Sequence, residues 1–475
     1  MDLQTPTNTT TPESLQPKLE RAFELAAQKC HDIAESWDPA KGTPVFTVNG
    51  RYTTRGWTEW TRGFQYGSML LAFDATDDRT LADRAAQLIH QHIPHHITHT
   101  GVHDHGFNIL STFGNLRRLT IEGRLLQSED TLRYHNLAIK ASGAVQAMRW
   151  TPILDHTNQR NTGYIHSFNG PHSLFADTMR SLRSLALAHQ LGHTLLTEND
   201  QSVNLLERAI HHALTTARYT VYYGEGRDAY DTPHEAGRTT HESLFNTTDG
   251  RYRCPSTQQG YSPFSTWTRG LAWVLLGFAE QLEYLATPSA YDLDNWPQPT
   301  PDQPATKAAV QATYLRAAIA TADWYINHSF ADGMVYWDAG APNIPPDTDY
   351  SQPSNPHNNH EPIDSSVAAI AAQGFLRLSN ILQSSDPTTA QRYHAAALRI
   401  AQTLFDEPYL STDPNHQGLI LHAIYHRPNG WDHTPPNQSI PCNESALWGD
   451  YHALELALLL HRQHNKLPYI TFFDQ

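Results

Sequence analysis

Phe64-Gln-Tyr-Gly-Ser-Met-Leu-Leu-Ala-Phe-Asp74-Ala-Thr-Asp-Asp78-Arg-Thr-Leu-Ala-Asp-Arg-Ala-Ala-Gln-Leu-Ile89 carries apolar residues at helical spacing on both sides of a short acidic connection. It reads as two helices folded back on each other. The pattern continues along the chain: segments of helical spacing fall near 14–36, 57–74, 79–93, 104–119, 131–149, 174–192, 199–218, 265–286, 306–328, 364–382, 387–405 and 443–462, about twelve in all. Strand-like alternation is scarce. Short polar connections, such as Asp74 to Asp78, Thr197-Glu-Asn-Asp200 and Ser385-Asp-Pro387, sit within helix pairs. Long ones (150–173, 219–264, 329–363, 406–442), rich in Gly, Pro, aromatics and His, lead to the next pair. Paired helices without an intervening disordered linker predict an all-α fold, an (α/α)6 barrel or six-hairpin toroid. A single domain over 13–475 would follow a flexible extension, 1–12. A solenoid of helix pairs is the alternative. In a toroid the inner helices follow the long loops, so those loops and the first turns of those helices converge on one mouth. The stretches 298–304 and 341–362 read as surface insertions.

The 475 residues are 39% hydrophobic and 17% charged, which suits a large core rather than a disordered chain. Lys plus Arg is 33 against 48 Asp plus Glu, a formal charge of −15. That field opposes phosphate backbones and anionic membranes, so neither nucleic acid nor membrane is an expected partner. An anionic substrate would need a local cation. The start, Met-Asp-Leu-Gln-Thr-Pro, lacks a basic and an apolar leader region, and no long apolar run occurs, so a cytoplasmic location is expected. Cys30, Cys254 and Cys442 are far apart and read as reduced thiols. With no Gly-rich nucleotide motif and no phosphate loop, no cofactor is expected.

Polar residues at the starts of inner helices are the candidates for chemistry. Asp104, in His103-Asp-His-Gly-Phe107, precedes an apolar run and could be a plain N-cap. Asp177, in Leu174-Phe-Ala-Asp-Thr-Met179, sits among apolar neighbours, where burial would raise its pKa; a core acid satisfied by Arg180 is the bland reading. Arg269 lies between Trp267 and Trp273 in sequence and could clamp a carboxylate bidentately, or simply stack on Trp at the surface. Trp60 offers a stacking face, while core packing is as good an account of Trp57. The run His90, His92, His95, His96, His99, His103 and His105 straddles a helix end without a completing carboxylate pattern, so it reads as a solvated loop and no metal site is expected.

Thr257-Gln-Gln-Gly-Tyr-Ser-Pro-Phe-Ser-Thr-Trp-Thr-Arg-Gly-Leu-Ala-Trp273 resembles the signature of the family 88 glycoside hydrolases, the unsaturated glucuronyl hydrolases. Matches in the same order are Trp60-Thr-Arg-Gly-Phe64, His103-Asp-His-Gly-Phe107, the Asp177 helix, His241, Tyr336-Trp-Asp338, Asp364-Ser-Ser366 and Leu447-Trp-Gly-Asp-Tyr451, together spanning 55–460. The resemblance implies an (α/α)6 barrel that removes a 4,5-unsaturated uronic acid from the non-reducing end of lyase-generated oligosaccharides. In that chemistry an Asp protonates C4, a water adds at C5, and the hemiketal opens to expel the remaining chain. By motif, Asp177 would be the general acid/base and Asp104 its partner. His241, Gln259, Arg269 and Trp273 would line the uronate site, with Phe168 and Trp60 as walls. Departures from the family pattern are Gln258 for a His, Phe168 for a Trp, Leu271 for a Gln and Ile363 for an Arg. A Ser/Lys arrangement that some members use for sulfated sugars is missing around Leu421-His-Ala-Ile-Tyr-His-Arg427. Two other readings keep the toroid: an exo-acting uronidase on saturated sugars, and a sugar-binding toroid without turnover.

Overall fold

The computed structural model describes residues 10–56, 59–154, 162–290 and 306–473. The first part of the chain forms α1 (Pro12–Ser36), the hairpin β1 (Phe46–Val48) and β2 (Arg51–Thr53), α2 (Arg62–Thr76), α3 (Arg79–His92) and α4 (Pro94–Ile97). Next come α5 (His105–Ile109), a π-helical turn (Leu110–Gly114), α6 (Asn115–Ile121) and α7 (Glu129–Met148). Then follow β3 (Trp150–Ile153), β4 (Thr162–Ile165), β5 (Ser173–Phe175), α8 (Thr178–Ser181), α9 (Arg183–Gln190), β6 (Thr194–Leu196), β7 (Ser202–Asn204) and α10 (Leu205–Tyr219). The remainder is β8 (Glu242–Phe245), β9 (Tyr252–Ser256), α11 (Thr268–Leu285), α12 (Lys307–Asn327), α13 (Ser365–Leu382), α14 (Pro387–Leu404) and α15 (Leu447–His464).

Burial separates these helices into two rings. Helix α1 buries Leu15, Leu19, Ala22, Phe23, Ala26, Cys30 and Ile33, one stripe of an amphipathic helix, and belongs outside. Helices α2, α11, α13 and α15 are buried on nearly every face, as apolar side chains all round require. The inner ring runs α2, α5–α6, α8–α9, α11, α13, α15, each packed on the next, and α15 packs on α2 to close it. Outside it lie α1, α3, α7, α10, α12 and α14. The architecture is the expected (α/α)6 barrel, and the inner helices are the ones that follow the long loops.

The loops are more ordered than the scarcity of alternation predicts. They carry four small antiparallel sheets among the described residues, including the three-stranded β5-β8-β9. Leu174, read as part of a helix, lies in β5. The first helix starts at Pro12 with Thr11 as a reciprocal cap. Residues 1–9 of the expected extension, Trp57, and the insertion at 298–304 lie outside the described residues. At the opposite end from the long loops, Ile470, Phe472 and Phe473 are buried against the far ends of the inner helices. There the Arg183 guanidinium lies 4.9 Å from the Phe472 ring centroid, Phe473 packs on Tyr284, and Arg377 donates to the Ile470 carbonyl at 3.2 Å. No helix among the described residues is long and apolar enough to cross a membrane.

Candidate active site

Two loop devices deliver the carboxyls. Strand β5 pairs with β8, and the Ala176 amide continues that pairing to the His241 carbonyl at 2.9 Å, so Asp177 follows directly beside His241. On the neighbouring inner helix, Asp104 precedes α5. The Gly106 amide donates to Ser181 Oγ at 2.8 Å, and a Cβ on Gly106 would lie 2.5 Å from the Ser181 carbonyl oxygen. Only a residue without a side chain lets α5 and α8 approach this closely. Gln146 Nε2 ties the junction from α7, donating to the His103 carbonyl at 2.8 Å and Ser181 Oγ at 3.1 Å.

Asp104 and Asp177 meet at His103, whose Nε2 lies 3.1 Å from Asp104 Oδ1 and 3.5 Å from Asp177 Oδ2. All three are buried. Burial pushes the Asp104 carboxyl up to about 6. Burial pushes Asp177 up as well, but the His103 charge and hydrogen bond outweigh it and hold Asp177 below the usual carboxylate range. The two acids in turn outweigh the burial of His103 and hold its imidazole up. The expectation of a raised Asp177 is therefore corrected: in the unliganded site the proton-holding carboxyl is Asp104. Arg180 does not satisfy Asp177; it pairs with Glu455 at 2.9 Å and with Glu280 in the barrel interior.

Around this centre Phe168, 47% exposed, stacks on His103 with centroids 6.0 Å apart. His241 Nδ1 accepts from the Gln258 and Gln259 amides at 3.0 and 3.3 Å, which places the ring proton on Nε2, a buried donor with no partner in the protein. Burial lowers the His241 pKa to about 4, so the ring is neutral. Trp60 is half-buried, stacked on Trp448 at 5.2 Å and packed on Phe107.

A model of the glycosyl hydrolase family 88 matches residues 41–300. The chain belongs to that family. It is 26% identical to the unsaturated glucuronyl hydrolase of Bacillus sp. (strain GL1) over 87% of this chain and 89% of that one. It is 21% identical to the unsaturated chondroitin disaccharide hydrolase of Streptococcus agalactiae serotype III, over 94% of this chain and 92% of the relative. The crystal structure of the Bacillus sp. GL1 enzyme superposes with a TM-score of 0.65 at 22% identity, covering 94% of this chain and 97% of that one, which independently supports the barrel.

Within this family 88 framework two sequence-based placements change. Arg269 is buried and spoken for. It donates to the Tyr425 carbonyl and Gln259 Oε1, both at 2.8 Å, and to the Ile424 carbonyl, and lies 3.4 Å from Asp364 Oδ2. Its guanidinium is sandwiched between Trp267 and Trp448, each 4.7 Å away, rather than between Trp267 and Trp273. Trp273 is 2% exposed and packs on Phe107 and His452, behind the site rather than along its wall. Leu271 and Ile363, two of the departures, are buried core residues, and Gln258 serves His241 through its main-chain amide.

The His-rich stretch is also corrected. His96, His103 and His105 are buried, His105 bonding Ser142 Oγ at 2.7 Å and the His99 carbonyl at 3.0 Å. Buried placement, not a solvated loop, is the rule at these three. His103, Asp104 and Asp177 form the one close group of His and acidic side chains among the described residues, their nearest polar atoms all within 4.8 Å. The 3.1 Å contact is that of a hydrogen-bonded unit.

Proposed function

We propose that this family 88 glycoside hydrolase removes a 4,5-unsaturated uronic acid from the non-reducing end of lyase-generated oligosaccharides, with residues 13–475 as the catalytic unit. The observation that carries the reading is the buried Asp104–His103–Asp177 group at the mouth formed by the long loops. Asp177 gives its proton to C4, a water polarised by the same carboxylate adds at C5, and the hemiketal opens with loss of the remaining chain. Asp104 sets the charge of the pair and holds sugar hydroxyls. The unpartnered Nε2–H of His241 and the half-exposed ring of Phe168 suit the sugar, with Gln259 and Trp60 beside it. Arg269 and Trp273 support the site from behind, Arg269 by holding Gln259 and the 424–425 main chain.

The names of the two curated relatives point to unsaturated glucuronyl and chondroitin disaccharide substrates for those enzymes, and the same chemical class suits this site. The close carboxyls also favour hydration over an inverting uronidase, which keeps its acids about 6.5–9.5 Å apart to admit a water between them. The test is to incubate the protein with unsaturated disaccharides made by polysaccharide lyases and follow the enol ether absorbance. Unchanged absorbance across glucuronyl, chondroitin and heparin-derived substrates would reject the reading.

A further inference from the structure

We propose that His103 is a positioning residue that shares its Nε2–H between Asp104 and Asp177 and makes the two carboxyls act as one unit holding a single proton. The idea deepens the functional reading above and rests on it for its kinetic arm.

The geometry comes first. One ring nitrogen stands 3.1 Å from one carboxyl oxygen and 3.5 Å from the other. The ring is 1% exposed and cannot rotate freely: Phe168 stacks on one face, Phe175 meets it edge-on at 5.4 Å, and Gln146 holds its carbonyl. Neither carboxyl bonds to the amides of the helix it precedes, so each is committed to the centre.

The surrounding elements contribute no competing proton exchange. His212 on α10, His166 after β4 and His241 before β8 are all lowered by burial, to about 3, 4 and 4, and are neutral. Arg149, at the end of α7, is the neighbouring cation and is bonded to the His166 and Ser167 carbonyls. Two carboxyls this close resist ionising together, and their protons leave in two steps that belong to the pair. A donor shared between them favours the ionised form at both steps. During turnover the Asp177 O–H bond breaks as C4–H forms. The water then loses a proton to Asp177 as C5–O forms, so the unit ends with the proton it began with and His103 changes no bonds.

The experiment compares kcat and KM against pH for the wild type, His103→Leu and His103→Gln on an unsaturated disaccharide. Leu fills similar space without a donor, whereas the Gln amide N–H reaches the former Nε2 position. The Leu variant should lose kcat by about tenfold or more, with KM changing by less than about threefold. Both limbs of its profile should move to higher pH by about one unit, while the Gln profile stays near that of the wild type. Lower kcat in both variants with unmoved limbs would overturn the proposal, since packing alone then explains His103. Neutron diffraction from wild-type crystals gives an arm independent of activity and of the variants' folding. A deuteron on Nε2 directed between the two carboxyls is expected; a bare Nε2, or a metal ion among the three side chains, would overturn it. Absence of wild-type turnover rejects the functional reading instead, and the neutron result then judges His103 alone.

Discussion

Asp104 and Asp177 occupy the same position on successive inner helices, the residue just before the first turn of α5 and of α8, and neither side chain caps the helix it begins. An aspartate there ordinarily accepts from the first-turn amides, a contribution of about 1 kcal/mol. Both helix starts forgo it, and both carboxyls turn to His103 instead. Withholding a common stabilising contact twice, at one point in the fold, marks a place where charge is kept for chemistry.

Asp177→Asn keeps the shape of the side chain and removes the transferable proton. Turnover of an unsaturated disaccharide should fall by about a hundredfold to ten-thousandfold with melting temperature nearly unchanged. Near-normal kcat would remove Asp177 from the mechanism.

Asp104 gives a pH-dependent stability signature. Its folded pKa, about 6, lies above the ordinary 3.8, so the neutral acid is the form that folding favours. The stability this provides is full below about pH 4 and is lost as pH rises through 6. Asp104→Asn mimics the neutral acid, so its advantage over the wild type should be small at pH 4 and grow to the order of 2–3 kcal/mol above pH 7. Thermal melts at pH 4, 5, 6, 7 and 8 read this directly, and a gap that does not widen with pH contradicts it.

Gly106→Ala places a methyl 2.5 Å from the Ser181 carbonyl oxygen. Overpacking of this kind costs about 1–3 kcal/mol. Because the contact joins the helices that carry Asp104 and Asp177, kcat should fall by about tenfold or more even at temperatures where the variant is fully folded. Equal kcat would show that the carboxyl separation tolerates the shift.

Arg269→Ala should behave as the loss of a buried support. With two main-chain carbonyls, Gln259 and Asp364 left unpaired, a destabilisation of about 3–5 kcal/mol is expected. A residue acting only as a substrate clamp would leave the melting temperature unchanged and abolish discrimination between the uronate and its methyl ester. Measuring both quantities separates the two roles.

Chelation supplies the last test. If His103, Asp104 and Asp177 are a hydrogen-bonded unit, dialysis against a strong chelator leaves kcat and melting temperature unaltered. Stoichiometric metal by elemental analysis, with activity lost on its removal, would reassign the group as a metal site.

The toroid was legible because its inner helices are apolar on every face and its long and short connections alternate, both properties of local sequence. The loop strands were not: Ser173 to Phe175 is a strand only because Glu242 to Leu244 pairs with it from a distant part of the chain. Asp104 and Asp177 stood out as acids at apolar helix starts. His103 did not, because a histidine within a His-rich run carries no mark of burial. Arg269 was placed between Trp267 and Trp273 by spacing along one helix, whereas in space its second aromatic partner is Trp448 on α15. Contacts across the ring are invisible to periodicity.

The stopper formed by Ile470, Phe472 and Phe473 makes the barrel a cul-de-sac. A sugar chain can enter it only by its tip and must withdraw by the same doorway, so each visit trims one terminal unit and the shortened chain has to back out before another enters. Traffic at that doorway, rather than bond-making at the acids, becomes the step that long oligosaccharides would slow, and successive cuts on one chain would be separate encounters instead of a continuous run.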